Sequence, residues 1–197
     1  MPIIQHKPVT PSSRFYLKNK TELSKKRPER SLTKGQHRKK GRNAYGRITS
    51  RRRGGGHKRL YRQIDFRRLR MDDTGKVIAL EYDPNRTAHL ALLEYADGQK
   101  AYILAPSGLD VGDTVLSSNE KIAFEPGNCL PLNHLPVGTK VHCVEMLPGA
   151  GAVIARSAGS EVRLISIDNG QASLKMPSGE IRLVKENCRA TIGSVGN

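Results

Sequence analysis

From residue 76 onward, short runs of Val, Ile, Leu and Tyr alternate with turn signals, and no helical period of any length is present. Polar and apolar positions alternate at 173–176 and 180–183, as a strand with one solvent-facing side requires. The pattern predicts an all-β fold. The predicted strands are 77–82, 89–95, 100–104, 113–116, 140–146, 153–156, 161–167, 172–176 and 180–184.

Three dipeptides between these runs predict tight hairpin turns, because their residues tolerate a positive φ. They are Asp97-Gly98, Asn169-Gly170 and Ser178-Gly179. So many short strands in so little chain favour small barrels over one large sheet. Prolines and glycines are dense at 124–138, which excludes an interior strand there. We therefore expect one barrel at 76–125 and a second at 126–197.

The first 75 residues lack a hydrophobic period. Between residues 10 and 56 the aliphatic residues are Leu17, Leu23, Leu32, Ala44 and Ile48. This composition buries too little apolar surface to offset its conformational entropy. We expect an extension at 1–75 with little regular structure, which is disordered alone and becomes ordered on a partner. For the same reason, removal of residues 1–59 is expected to leave the folding of residues 76–197 intact.

Charge is distributed very unevenly along the chain. The whole sequence has 34 Lys and Arg against 18 Asp and Glu, a formal charge of +16. Residues 1–75 hold 23 of those cations and 5 of the acids, so all of the excess positive charge lies there. Such a charge predicts a polyanionic partner, with nucleic acid favoured over a membrane surface. Neither a transmembrane stretch nor a secretory signal is recognisable.

Metal, cofactor and catalytic chemistry are not indicated. Cys129, Cys143 and Cys188 are widely spaced and form no C-x-x-C pair, so we expect reduced, structural thiols. His142 and Cys143 are adjacent in a predicted strand and would point to opposite faces. The glycine run at 54–56 is not followed by the Lys-Ser/Thr of a nucleotide-binding loop. We therefore expect no cofactor, no metal and no enzymatic activity.

The stretch 41–59, which we call the basic loop, is the most informative part of the chain. Glycines allow close backbone approach to a phosphate, and arginines bind phosphates bidentately or stack on bases. Tyr45 and Tyr61 could stack on unpaired bases. The candidate RNA-binding residues in and near this loop are Arg42, Arg47, Arg51, Arg52, Arg53, Gly54, Gly55, Gly56, His57, Lys58, Arg59, Arg62, Arg67 and Arg68. The alternative is a solvated basic tail that aids solubility.

Two further candidates, Arg86 and Arg156, lie beside turns in the nearly neutral β region. Isolated cations beside turns are commonly plain surface residues. Their placement next to Pro84 and Gly159, in loops of the kind that carry function, favours phosphate contacts.

Short motifs occur in order along nearly the whole chain: GRN at 41–43, GRIT at 46–49, GGGHK at 54–58, YR at 61–62, IDF at 64–66, LEYDPNR at 80–86, YILAP at 102–106, PGN at 126–128, PVG at 136–138, ARSAG at 155–159, CRAT at 188–191 and VGN at 195–197. With these motifs the chain resembles the ribosomal protein L2 family of the large subunit, in its bacterial and organellar form.

The resemblance implies an OB-like barrel followed by an SH3-like barrel, with a basic extension threaded into large-subunit rRNA. It implies primary rRNA binding, a structural role in assembly and subunit association near the peptidyl transferase centre, and neighbouring ribosomal proteins as partners. It also implies that arginines matching Arg86 and Arg156 contact RNA. Members of the family usually continue into a second basic, His-rich tail. We therefore expect either a separate chain that carries this portion or a ribosome without it, in an organelle (a mitochondrion is favoured) or in the bacterial cytoplasm.

Two other functions stay open from the residues. A nucleic-acid chaperone or DNA-compacting protein would use the extension without specificity, and bulk DNA would then compete equally. An RNA-modifying or peptidyl-transfer enzyme would need a cofactor loop or a positioned base, and neither is recognisable.

Overall fold

The computed structural model describes residues 3–19, 23–36 and 40–197. The predicted all-β fold is confirmed. Within these ranges the regular structure consists of β-strands and three short 3₁₀ turns, at Pro11–Ser13, Arg30–Leu32 and Leu132–His134.

The described part of the extension contains two small antiparallel ribbons. In the first, β1 (Ile3–Gln5) pairs with β2 (Leu17–Asn19). In the second, β3 (Thr33–Gly35) pairs with β4 (Leu60–Arg62), which closes the chain segment that includes the basic loop. Before residue 75, each strand and 3₁₀ turn in the described residues of the extension is three residues long.

The first barrel is built on a four-stranded antiparallel sheet. Its strands are β5 (Gly75–Glu81), β6 (Leu90–Glu94), β7 (Lys100–Leu104) and β8 (Thr114–Val115), in the order β7-β6-β5-β8. One face buries Val77, Leu93 and Ile103. Both faces of β6 are buried, which explains its continuous apolar sequence rather than an alternating one.

The second barrel contains a six-stranded antiparallel sheet and a separate two-stranded ribbon. The sheet order is β15-β14-β13-β10-β16-β9, and β11 pairs with β12. The strands are β9 (Cys129–Pro131), β10 (Lys140–His142), β11 (Val144–Glu145), β12 (Ala152–Ile154), β13 (Val162–Asp168), β14 (Gln171–Lys175), β15 (Ile181–Lys185) and β16 (Arg189–Ile192). Leu130, Val141, Leu164 and Leu174 are fully buried in its core.

The three predicted hairpin turns are confirmed. Gly98 has a φ of +76° between β6 and β7, and Asn169 and Gly170 have φ values of +50° and +77° between β13 and β14. Gly179 has a φ of +91° between β14 and β15. Positive φ at these positions is the reason that Asn and Gly occupy them.

One predicted strand, 140–146, is wrong as a continuous element. Cys143 has a φ of +51°, and this left-handed residue ends β10 and separates it from β11. His142 and Cys143 therefore do not share a strand or point to opposite faces of it. Both residues line one small cavity where the extension meets β7 of the first barrel and the second barrel.

The extension covers the second face of the first sheet. Leu90, Leu92 and Tyr102 lie on that face, and Leu32 and Ile64 of the extension pack against the same cluster. The hydroxyl of Tyr102 accepts the backbone N–H of Glu29 at 2.9 Å and donates to Glu81 Oε2 at 2.7 Å. Residues near 29–32 and 64 are thus part of the folded protein.

Candidate nucleic-acid interface

Asn43 organises the tip of the basic loop. Its Oδ1 accepts the backbone N–H groups of Tyr45 at 3.1 Å and Arg47 at 3.0 Å. Gly41 has a φ of +69°, and a Cβ added there would lie 2.2 Å from the carbonyl oxygen of Ser50. The loop therefore has a defined local shape, which requires glycine at position 41.

Most side chains of this loop are exposed to solvent. Tyr45 is 89% exposed, and its ring carries no protein cover. The cations predicted to bind RNA in this loop, and His57 beside them, are all exposed: Arg42, Arg47, Arg51, Arg52, Arg53, Lys58 and Arg59. Cations and an aromatic ring are therefore presented together on an accessible surface.

The glycine run lets the backbone turn sharply beside Lys40. Gly54, Gly55 and Gly56 have φ values of +101°, +79° and +79°. A Cβ on Gly54 would lie 3.3 Å from the Cα of Lys40. A concave pocket beside this turn is lined by Gln36, Lys40, Gly55, Gly56, His57, Lys58 and Arg59. Its lining of cations and backbone is suited to an anion.

Asp83 organises the loop that carries Arg86. Its side chain is fully buried, and its Oδ2 accepts the Nε–H of Arg86 at 2.7 Å. Its Oδ1 accepts the backbone and side-chain N–H groups of Asn85, both at 2.9 Å. The Nδ2 of Asn85 also donates to the carbonyl of Leu60 at 2.7 Å, which fixes the loop to β4. A buried charge satisfied by several donors holds a single loop conformation.

Arg86 and Arg156 converge on the ring of Phe66, and we call these three residues the Phe66 site. The Cζ of Arg86 lies 5.8 Å from the ring centroid and that of Arg156 lies 5.0 Å from it. Arg86 follows β5 in the first barrel, and Arg156 follows β12 in the second. Stacking on an aromatic face orients a guanidinium while its N–H groups remain able to bind a phosphate or base.

The loops that carry the two arginines are joined directly. The Oγ1 of Thr87 accepts the backbone N–H of Ala158 at 3.2 Å. The carbonyl of Thr87 accepts the Nδ2–H of Asn197 at 2.7 Å. The distance between Arg86 and Arg156 is therefore determined by contacts between the barrels.

Two predicted RNA-binding arginines instead contact protein. Arg62 is 8% exposed, donates to the carbonyl of Leu60 at 3.0 Å and lies 3.9 Å from Asp83 Oδ1. Arg68 is 7% exposed and donates to the carbonyl of Gly127 in the second barrel. The neighbouring Arg67 is exposed. We therefore assign Arg62 and Arg68 to the support of the surface and not to the surface itself.

Sequence reasoning did not find Phe66 as a site residue. The sequence signal that could have indicated Phe66 is the preceding Asp65, a residue type that often forms turns. In the structure its Oδ1 accepts the backbone N–H groups of Arg67 at 3.0 Å and Arg68 at 2.8 Å. At that turn the extension passes from a contact with Tyr102 in the first barrel to a contact with Ala152 in the second. The pattern of polar and apolar residues does not reveal such a crossing.

The thiols and His142 have the properties of core residues. Burial raises the pKa of Cys143 to about 12, and it also raises the pKa values of Cys129 and Cys188. Burial lowers the pKa of His142, whose Nδ1–H donates to the carbonyl of Gly193 at 2.8 Å. Thiols with raised pKa values are poor nucleophiles.

The part of the chain that the structure describes contains no group of three or more His, Cys, Asp or Glu residues able to hold a metal ion. Within the same residues, no helix has the length and apolar character needed to cross a bilayer.

A cationic surface built from two small β-barrels and a basic loop with an exposed aromatic ring is typical of proteins that recognise a structured nucleic acid.

Comparison with known proteins gives the same class of protein. The family model described as "Ribosomal Proteins L2, RNA binding N-terminal domain" matches residues 29–117, and "Ribosomal Proteins L2, C-terminal domain" matches residues 125–197. The large ribosomal subunit protein uL2 of Opitutus terrae is 54% identical over 200 residues, covering 100% of this chain and 69% of that protein. The chain belongs to the ribosomal protein L2 family, which confirms the resemblance.

Proposed function

We propose that this chain binds large-subunit rRNA and is a structural, non-enzymatic component of the large ribosomal subunit. The observation that carries the proposal is the Phe66 site, where one arginine from each barrel stacks on the same ring. The family match to an RNA-binding N-terminal domain supports it. The chain then acts in translation, on the ribosome.

The basic loop and the barrels have different tasks in this proposal. The loop supplies phosphate neutralisation and counterion release, which make the affinity depend steeply on salt. The barrels hold Arg86 and Arg156 at a fixed separation, and so select the shape of a folded RNA. The proposed contact residues are Arg42, Arg47, Arg51, Arg52, Arg53, Gly54, Gly55, Gly56, His57, Lys58, Arg59, Arg67, Arg86 and Arg156.

We keep the division into an extension at 1–75 and barrels at 76–125 and 126–197 as a proposal. A break between the barrels is supported by the gap between the two family matches, which end at 117 and begin again at 125. Assembly, subunit association near the peptidyl transferase centre and contacts with neighbouring ribosomal proteins are the finer roles we propose. An organellar ribosome and a separate chain for a C-terminal portion stay predictions, and the matched relative is bacterial.

The proposal is tested by binding of the full chain to large-subunit rRNA, with duplex DNA as competitor. We expect tight binding to rRNA that weakens steeply with salt and resists excess DNA. Equal competition by DNA would instead indicate a nonspecific nucleic-acid chaperone. A second measurement is co-sedimentation with large subunits, which should retain the chain at moderate salt.

A further inference from the structure

Residues 65–68, which we call the linking segment, join the two barrels beneath the Phe66 site. The backbone N–H of Asp65 donates to the carbonyl of Tyr102 in the first barrel at 2.8 Å. The carbonyl of Phe66 accepts the N–H of Ala152 in the second barrel at 2.8 Å. The position of the Phe66 ring therefore depends on contacts with both barrels.

Arg189, at the start of β16, holds the second half of the linking segment. Its Nη2 donates to the carbonyl of Arg67 at 2.7 Å, and its Nη1 donates to that of Arg68 at 3.3 Å. Arg189 is 7% exposed, so RNA bound at the protein surface has little access to it. A planar guanidinium can bridge two successive carbonyls, which a single ammonium does less well.

Glu145 connects Arg189 to the loop that leads into β12 and towards Arg156. Its Oε1 accepts from Arg189 Nη2 at 3.2 Å and from the N–H of Gly151 at 3.1 Å. Its Oε2 accepts the N–H groups of Gly149 and Arg189, both at 3.1 Å. Glu145 is 2% exposed, and four donors satisfy its carboxylate.

The glycine loop held by Glu145 packs tightly on the linking segment. A Cβ added to Gly151 would lie 3.0 Å from Arg67 Cγ and 3.3 Å from the carbonyl oxygen of Phe66. The same ion pair therefore supports the segment that carries the ring and the loop before the arginine that stacks on it.

We infer that the buried Glu145–Arg189 ion pair positions the Phe66 site for RNA without touching RNA itself. The inference rests on the proposed function of that site. The pair adds no net charge, so it acts through geometry. Loss of either partner releases the linking segment and the loop at 149–151 together, and Arg156 then loses its place over the ring.

The first test is Glu145→Gln in the full chain, with rRNA as the ligand. Glutamine keeps the size but turns one acceptor oxygen into a donor that faces N–H groups. We expect rRNA affinity about tenfold lower, within the range typical of coupling through packed residues. We also expect the slope of log K against log salt to fall by about one, because Arg156 no longer reaches its phosphate.

A double-mutant cycle separates positioning from general stability. In an Arg156→Ala background, Glu145→Gln should cost less rRNA affinity than it costs alone, because one of the groups that it positions is already absent. Val162→Ala, in the core of the second barrel, is the control. It should lower thermal stability but keep the wild-type salt slope.

Arg189→Lys provides a second variant, which keeps the charge and should show a smaller loss of affinity. If the Glu145→Gln variant fails to fold, the Arg189→Lys variant is used for the same binding measurements. The inference is overturned if the folded variants bind rRNA as the wild type does, or if they lose as much affinity in the Arg156→Ala background as alone. Failure of the wild type to bind rRNA would overturn the proposed function instead.

Discussion

At the scale of single residues, the buried carboxylate of Asp83 fixes the position of the more exposed Arg86. Asp83 accepts from Arg86 and Asn85, and it has no solvent exposure of its own. Removing one partner of such a pair leaves an uncompensated buried charge, which is strongly unfavourable. Arg86 is therefore held at the Phe66 ring by a carboxylate that is itself fully buried.

Arg156→Ala is predicted to weaken rRNA binding by about 1–3 kcal/mol and to lower the salt slope by about one. Arg156 is exposed, and its Nη1 makes only a long hydrogen bond of 3.4 Å to the carbonyl of Ala152. The thermal unfolding temperature should therefore stay close to that of the wild type. Filter binding over a salt series and calorimetry measure the two effects.

The matched control for this variant is Arg182→Ala. Arg182 is an exposed arginine on β15 of the same barrel, paired with Glu180 at 3.2 Å. It should leave both rRNA affinity and the salt slope unchanged. Equal losses of affinity in the two variants would mean that only net charge matters, and the Phe66 site would have no special part in binding.

His142 is predicted to make the stability of the second barrel depend on pH. Burial lowers its pKa from 6.5 to about 4 in the folded chain. The unfolded chain then binds a proton between these values and the folded chain does not, so stability falls as pH falls from 6.5 towards 4. The loss attributable to His142 is at most ~3 kcal/mol.

Denaturant unfolding from pH 7 to pH 4 measures this effect, with His142→Asn as the comparison. Asparagine can still donate to the carbonyl of Gly193 but does not titrate in this range. The difference in unfolding free energy between the two proteins should change with pH below 6.5. A constant difference would show that His142 is not buried as the neutral form.

At the scale of elements, the sequence predicts strands where apolar side chains recur or alternate, and it fails where strands are short and unpatterned. Lys100–Leu104 matches its predicted bounds, whereas Cys129–Pro131 and Arg189–Ile192 were not predicted. All residues of the latter two strands are buried, and one of them ends in proline. Pro131 is tolerated because β9 lies at the edge of its sheet.

The extension also contains a core residue that the sequence pattern does not reveal. Leu32 is an isolated aliphatic residue in a basic sequence, and no periodicity assigns it to a core. The structure nevertheless packs it with Leu90 and Tyr102, and it donates its backbone N–H to the carbonyl of Glu29. These contacts indicate that residues 29–32 contribute to the stability of the first barrel. The expectation that residues 76–197 still fold without residues 1–59 stays a prediction.

Deletion of residues 1–59 is predicted to destabilise the remaining chain by about 3 kcal/mol or more, because it uncovers the Leu90 and Tyr102 face of the first sheet. Deletion of residues 1–22 removes the ribbon of β1 and β2 but keeps Glu29 and Leu32. This shorter deletion should have a much smaller effect. Chemical denaturation of the three proteins compares them, and equal stability of both deletions would refute the packing role of residues 29–32.

At the scale of the whole molecule, the sequence predicts which segments carry the positive charge, but it does not predict the contacts that position the charged side chains. The basic loop, Arg86 and Arg156 could all be selected from composition and turns. Phe66 and Arg189 could not, because their roles depend on contacts between segments distant in sequence. Arg189 binds Arg67, 122 positions earlier, and no local pattern encodes such a contact.

Replacement of Arg51, Arg52 and Arg53 by glutamine tests the division of tasks between loop and barrels. These side chains are exposed in the basic loop, so their loss should leave folding unchanged and lower the salt slope by about two to three. The control replaces Lys175, Arg182 and Lys185 by glutamine, which removes the same charge from exposed positions on the second barrel. If rRNA responded to net charge alone, both triple variants would lower the slope equally. Because the loop and the Phe66 site are the proposed RNA surface, only the variant of Arg51, Arg52 and Arg53 should lower the salt slope. This loop variant should still prefer rRNA over duplex DNA, because Arg86 and Arg156 remain in place.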